Sequence, residues 1–501
     1  MGELKQKSIR PIGVYGVIRP ASVDDFIVPD GAVTEVQNFK FDRVGAATLR
    51  AGITTLGATI STGATSSYGY PVWGLHNSQN GSIFAVISVN GSSRVYVYNG
   101  STWASSLTGG TANVKTRFVE AGGRTVVLNF GLSTNGYSSI RFLTVNDSWV
   151  TTGNPINPQA ITDQLAGSPQ PQFGEYYKSR IYLAGGNTNG TNINSSRLLF
   201  SSVITSSGNF TWSPSTDFVD INPNDGESIT ALKRFSLELL IFKPNYIYRF
   251  RTSGVDPDPL VKVGTRSQES VVEGKRGLYF HHDTGFYRYS GGYPEEISRP
   301  INDFIKAIPY SQYDDIAGWK DDDHIYWSLG NLTISETTGD VLWKKVVVRY
   351  TESADIWTIY SYPNDIKFAS DYNSGSALSR VLGLDNGVVA TLDSGTTDLG
   401  EAIKYRLITK WYEDEGIQNR KTITELVSLF EKARDAHLMY QIDEDDWKEI
   451  PQPITKFLNF HRPLNIKYHR IRYKITGVST GEALIFKGLQ IIKGTNDGPI
   501  I

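Results

Sequence analysis

One pattern constrains this chain more than any other. A short apolar run, a tight turn, a second apolar run and a Gly/Asn/Ser connection recur from Val36 onward, over about 350 residues and without close identity between copies. Ile83–Val89 turns at Asn90-Gly91 and returns as Val95–Tyr98, and Arg124–Phe130 leads to Ile140–Leu143. Arg180–Leu183 pairs with Leu198–Phe200, and Leu239–Phe242 turns at Pro244-Asn245 into Tyr246–Phe250. Leu278–Phe280 turns at Asp283–Gly285 into Phe286–Tyr289; His324–Ser328, Val346–Tyr350 and Ile356–Tyr360 follow. Val381–Leu384 turns at Asp385–Gly387 into Val388–Leu392. Hairpins in series with little helix predict an all-β chain, a β-propeller of six or seven blades in which each blade buries a face on the next. There is no Trp-Asp repeat and no kelch double-Gly signature in register, so the pattern is not that of the common cellular propellers.

The rest of the chain divides around this block. Residues 1–35 carry Pro11 and Pro20 and little periodicity, which reads as an extended arm that either crosses to a neighbour or frays. The propeller is expected over 36–400. Beyond 400 the apolar runs lengthen: Ile403–Tyr412, Thr422–Phe430, His437–Ile442, Tyr468–Ile475 and Ala483–Ile492 predict an antiparallel β-sandwich over 401–493. Residues 494–501 read as a loose tail. One helix is expected: Ile301, Phe304, Ile305 and Ile308 share a face, Pro300 suits the first turn, Asp303 suits the dipole, and Pro309 stops it.

Composition narrows the function. Gly 48, Tyr 27, Phe 22 and Trp 10 in 501 residues suit turns and strands, and a net charge of −2 gives no overall basic character for sequence-specific nucleic-acid binding. With no cysteine, disulfides and thiolate zinc sites are excluded. The first residues lack the apolar core of a signal peptide, and no run of about 18 apolar residues offers a membrane span, so a soluble product made in a cytoplasm is expected.

Candidate chemistry is sparse. His281-His282-Asp283 is the most metal-like group, yet neighbours in a strand face opposite ways and cannot readily share an ion. Lys320–His324 and Asp443–Asp446 are acidic turns whose oxygens suit calcium, without EF-hand spacing; hairpin turns are the alternative. Ser206–Trp212 is a poor match to a sialidase Asp-box, lacking the Asp. No phosphate loop or Ser/His/Asp order stands out, so neither catalytic residues nor a cofactor or metal is expected. The clearest sided element is Arg470–Thr476. Arg470, Arg472 and Lys474 alternate with Ile471, Tyr473 and Ile475, placing three cations on one strand face. That face meets DNA phosphates, meets an acidic neighbour, or is an exposed face that is solvated or paired with the acidic Asp443–Asp446 turn.

Three stretches carry a family resemblance. "GLYFHHDTGFYRYSGGYPEEISRPINDFIKAI" (Gly277–Ile308), "NFKFDRVGAATLRAGITTLG" (Asn38–Gly57) and "LGLDNGVVATLDSGTTDLGEAIKYRLITKWYEDEG" (Leu382–Gly416) resemble, in matching order, the tail-hub and tail-nozzle β-propeller proteins of short-tailed bacteriophages, with their packaged-DNA-stabilisation relatives. The resemblance implies a non-enzymatic virion protein assembled in the host cytoplasm. It implies a homo-oligomeric ring of six below a portal or adaptor, touching other tail proteins and passing genomic DNA without reading its sequence. A carbohydrate-binding or carbohydrate-cleaving propeller is the alternative, since aromatics and acids at a propeller mouth suit sugars.

Overall fold

A computed structural model describes residues 2–3, 14–19, 27–43, 45–57, 60, 70–79, 81–130, 141–143, 149–150, 171–186, 195–204, 210, 216–251, 258–336, 339–373, 378–414, 416–432, 436–443, 445–452, 454, 457–479, 481 and 484–499. Among them are seven four-stranded antiparallel sheets in chain order. They begin at Val72–Asn77, Arg117–Ala121, Pro171–Tyr177, Ala231–Phe235, Val272–Glu273, Ala317–Asp321 and Ile366–Asn373. Those first strands touch from blade to blade except between the fourth and fifth, which share a buried core, and the last touches the first, so they are the innermost strands of a closed propeller. The count is seven blades. The seventh takes its outermost strand from the other end of the sequence: Thr54–Thr55 pairs with Ala390 and Thr391. This staple closes the ring, so no blade is left with an open inner face.

The predicted hairpins form as read. Ile83 faces Tyr98, Leu239 faces Phe250 and Leu278 faces Tyr289 across their turns. Asn90 at φ 51° and Gly91 at φ 78° supply the left-handed backbone that a two-residue hairpin turn needs. The helix spans Asn302–Lys306 behind a 3-10 turn at Arg299–Ile301. Ile301, Phe304, Ile305 and Ile308 are all buried.

The expected boundary at residue 36 moves. Val33–Gln37, Phe39–Arg43 and Ala46–Leu49 belong to the sandwich, not to a first blade. Val36 pairs with Leu407, and Ala47 with Phe486. Their partners are more than 350 residues away by these pairings, so local periodicity cannot report them. One sandwich sheet orders Val33–Gln37, Ile403–Thr409, Ile471–Ser479, Ala436–Ile442 and Lys448–Glu449. The other orders Phe39–Arg43, Ala46–Leu49, Ile485–Pro499, Asn419–Glu431 and Leu458–His461. Phe39 meets Tyr405 edge-on at 5.4 Å between the two sheets, and Phe430 meets its cross-strand partner Phe486 at 4.8 Å within the second sheet.

Two further expectations are corrected. Much of the supposed arm is packed on its own chain: Val17 is fully buried and donates its N–H to Trp357 O at 2.9 Å, and Arg19 N–H donates to Pro300 O. Gly16 makes this possible, because at φ 65° a Cβ there would lie 2.7 Å from Trp357 O. The tail is a strand as far as Pro499, which pairs with Asn419. Its polar composition hides a partner strand that satisfies its backbone. Buried side chains from the sandwich, blade 5 and blade 6 form one continuous core that includes Phe286, Trp327, Trp357, Tyr405 and Phe430. Among the described residues no helix is long and apolar enough to cross a membrane.

Candidate functional site

The propeller meets the sandwich at a polar clamp. Arg50, 2% exposed, gives its two Nη groups to the Asp398 carboxylate at 2.8 and 2.5 Å. It also donates to Ser361 O at 2.7 Å, and its Nε donates to Asn38 Oδ1 at 2.8 Å. The Tyr362 ring lies 4.1 Å beneath the guanidinium. Asn38, at φ 65°, accepts Ser361 N–H at 2.8 Å and donates to Lys404 O at 2.7 Å. One buried cation therefore joins the first sandwich strands, the end of blade 6 and the exit from blade 7. A charge so placed is tolerated because a bidentate partner and carbonyls replace its water. Gly52 permits the approach, since a Cβ there would lie 1.9 Å from Thr397 O.

A second relay runs beside it. Asp303 of the short helix accepts Arg19 Nε at 2.8 Å, Arg19 pairs with Glu35 at 3.7 Å, and Glu35 pairs with Arg406. Arg19 and Arg406 both face the Trp343 ring, at 6.0 and 5.1 Å. Phe304 meets the same indole edge-on at 5.1 Å. Three stretches far apart in sequence thus converge in space: Asn38 and Arg50, Asp303 and Phe304, and Asp398 and Arg406. In the sequence Arg50 and Asp398 lie in two of the singled-out stretches, Asn38–Gly57 and Leu382–Gly416, but nothing local announces their pairing.

The strand Ile471–Ser479 alternates as its sequence implies. Ile471, Tyr473 and Ile475 are buried, whereas Arg470, Arg472 and Lys474 are half-buried on the outer side. Sequence reasoning missed their companions. Arg470 and Arg472 lie over Trp411 at 4.6 and 4.4 Å, and Arg472 and Lys474 lie over Trp447 at 5.2 and 4.4 Å. Arg472 Nε donates to Gln441 Oε1 at 2.7 Å. Burial, with Arg406 and then Arg472 nearby, pulls the Lys474 ammonium below the usual lysine range; Glu35 opposes this.

The propeller axis is crossed at one end by ion pairs. Arg117 of blade 2 binds Glu269 ahead of blade 5 through Nη2 at 2.9 Å, and Lys115 pairs with Asp315 ahead of blade 6 at 3.0 Å. Lys367 of blade 7 reaches the same Asp315 at 3.4 Å. Burial works against the charge on Glu269, but Arg117 and Lys115 outweigh it and hold the carboxyl below the usual range. These charges satisfy one another and tie distant blades together.

The other candidates have structural placements. His281 packs between Phe286 and Tyr313, with ring centres 5.2 and 5.1 Å away, while His282 Nδ1 is 2.9 Å from Thr284 Oγ1. Asp283 pairs with Arg266. Asp322 takes a Lys275 ammonium at 2.7 Å, and Asp443 Oδ1 accepts the backbone N–H groups of His469 and Arg470 at 3.2 and 3.0 Å. Both are turn residues at positive φ. Asp445 pairs with Lys448, and Glu444 lies outside the described residues. So does Ser206–Trp212 apart from Phe210. Among the described residues no three His, Cys, Asp or Glu side chains are placed to share an ion.

Burial pushes the His281 imidazole down from 6.5 to about 3, with His282 and Arg266 adding to the shift and Asp283 opposing it. The unfolded chain therefore binds a proton there that the folded chain refuses. Stability from this site is complete above about 6.5 and is lost as pH falls toward about 3. Denaturation midpoints measured from pH 7 to pH 4 are expected to fall less in His281→Phe than in the wild type. An equal slope would refute this.

No family model matches the chain, and no curated protein matches it. Solved structures do. Saccharomyces cerevisiae Sqt1 is 7% identical, with a TM-score of 0.39 over 68% of this chain and 99% of that one. YCF48 bound to D1 peptide is 10% identical, with a TM-score of 0.38 over 68% of this chain and 95% of that one. The extracellular domain of BT4673 from B. thetaiotaomicron is 11% identical, with a TM-score of 0.37 over 68% of this chain and 40% of that one.

Proposed function

We propose that this seven-bladed propeller with its fused sandwich is a structural virion protein, a hub or nozzle subunit of a short-tailed phage. Six copies form a ring that continues the DNA channel below the portal or adaptor and helps retain and release the genome. The observation that carries the reading is the pair of unlike surfaces on the sandwich. One sheet presents Arg470, Arg472 and Lys474 among tryptophans. The other ends at Leu458–His461, where Phe457, Leu458 and Phe460 are 53%, 40% and 48% exposed. A closed ring of one chain needs two different surfaces that meet head to tail. Exposed apolar groups along an edge strand favour association unless something covers them. The clamp at Arg50 supports the reading further, because it bonds the sandwich to blades 6 and 7.

The test is the symmetry of the intact particle. Antibody-labelled or tagged copies should locate to a cyclic ring in the tail. Their absence from the particle, or their presence as isolated monomers, would end the proposal.

A further inference from the structure

We infer that the outer face carrying Lys474 and Arg472 docks an acidic strand or loop of a neighbouring protein subunit. The inference deepens the ring reading by naming the chemistry of the neighbour. Lys474 is half-buried and has no carboxylate partner among the described residues. Its ammonium is held over Trp447, and its charged neighbours are Arg406, Glu35 and Arg472, two cations to one carboxylate. Like charges in a partly desolvated place repel, and an aromatic face offsets only part of that. Glu35, the carboxylate that acts on Lys474, is shared with Arg19 and Arg406. An incoming carboxylate adds counter-charge to a place where Glu35 is shared among several cations.

The geometry favours a carboxylate-bearing protein over a nucleic acid. Trp411 and Trp447 already carry cations against their rings, so they are poor platforms for stacking bases. A guanidinium's planar fork of N–H groups matches the two oxygens of a carboxylate. The strand itself is rigid, with Lys474 opposite Ile408 on one side and Met439 on the other. Little ordering of the receptor is therefore needed on binding.

The experiment uses the whole chain with two fluorescent probes of equal charge, an Asp/Glu-rich peptide and an oligothymidylate. Anisotropy is measured at about 50 mM and about 200 mM salt. The peptide should bind more tightly than the oligonucleotide, and Lys474→Glu with Arg472→Glu should weaken it by at least about tenfold. Carbodiimide coupling on the wild type provides a readout independent of any variant's folding: the peptide should be joined to Lys474. Tighter binding of the oligonucleotide, no peptide binding at low salt, or coupling only at other lysines each overturns the inference. The ring reading fails separately, by the position of the chain in the particle.

Discussion

Replacing Arg50 by methionine is expected to destabilise the folded chain by about 3–5 kcal/mol, the cost of leaving a buried carboxylate without its cation. Asp398 is 4% exposed, and Arg50 is the cation bound to it. The loss extends beyond the pair. Asn38 Oδ1 loses one of its two donors, and Ser361 O and Ala51 O lose theirs. Those groups belong to the sandwich, blade 6 and the segment entering blade 7, so the junction opens as a unit. Loss of soluble yield and a lowered melting temperature are the readouts. A double variant, Arg50→Met with Asp398→Leu, should recover part of the loss, because it leaves no orphan charge. Wild-type melting in Arg50→Met would show that the clamp contributes nothing.

Phe286→Ala is expected to cost a similar amount, about 3–5 kcal/mol, through a cavity that cannot close. Phe286 is fully buried and stacked on Trp327 at 4.2 Å, with Trp357 at 5.7 Å. Both indoles are pinned. Trp327 Nε1 donates to Ser270 O and Trp357 Nε1 donates to Ile297 O, each at 2.9 Å. Collapse of either ring into the void would break a buried hydrogen bond, so the surroundings relax little. Tyr279 adds to the rigidity, since its hydroxyl donates to the buried Glu352 carboxylate, which also accepts two backbone N–H groups from the turn at Lys275 and Arg276. Insoluble or early-melting protein is the expected result. Leu378→Ala, at a side chain 62% exposed, is the control that should melt as the wild type does. Equal melting of the two variants would mean that the core around Phe286 is misassigned.

These two residues mark how far local reading reaches. Phe286 was legible as part of a hairpin, because two aromatic-rich runs flank a Gly-containing turn and local spacing reports that. The helix face from Ile301 to Ile308 was legible for the same reason, at period 3.6. So was the alternation of Arg470, Arg472 and Lys474 with the core residues between them. Hairpins, that helix and the long strands after residue 400 depend on neighbours a few residues away, and the sequence by itself determined them. It did not determine which sheet Val36 or Thr54 would join, the number of blades, or the pairing of Pro499. Those depend on partners at the far end of the chain, where the choice rests on burial and backbone hydrogen bonds gained only in the closed ring. The same holds for Arg50 with Asp398, for Arg117 with Glu269, and for the tryptophans beside Lys474. Each charge is acceptable only because folding brings its partner from a distance, and no local pattern records that.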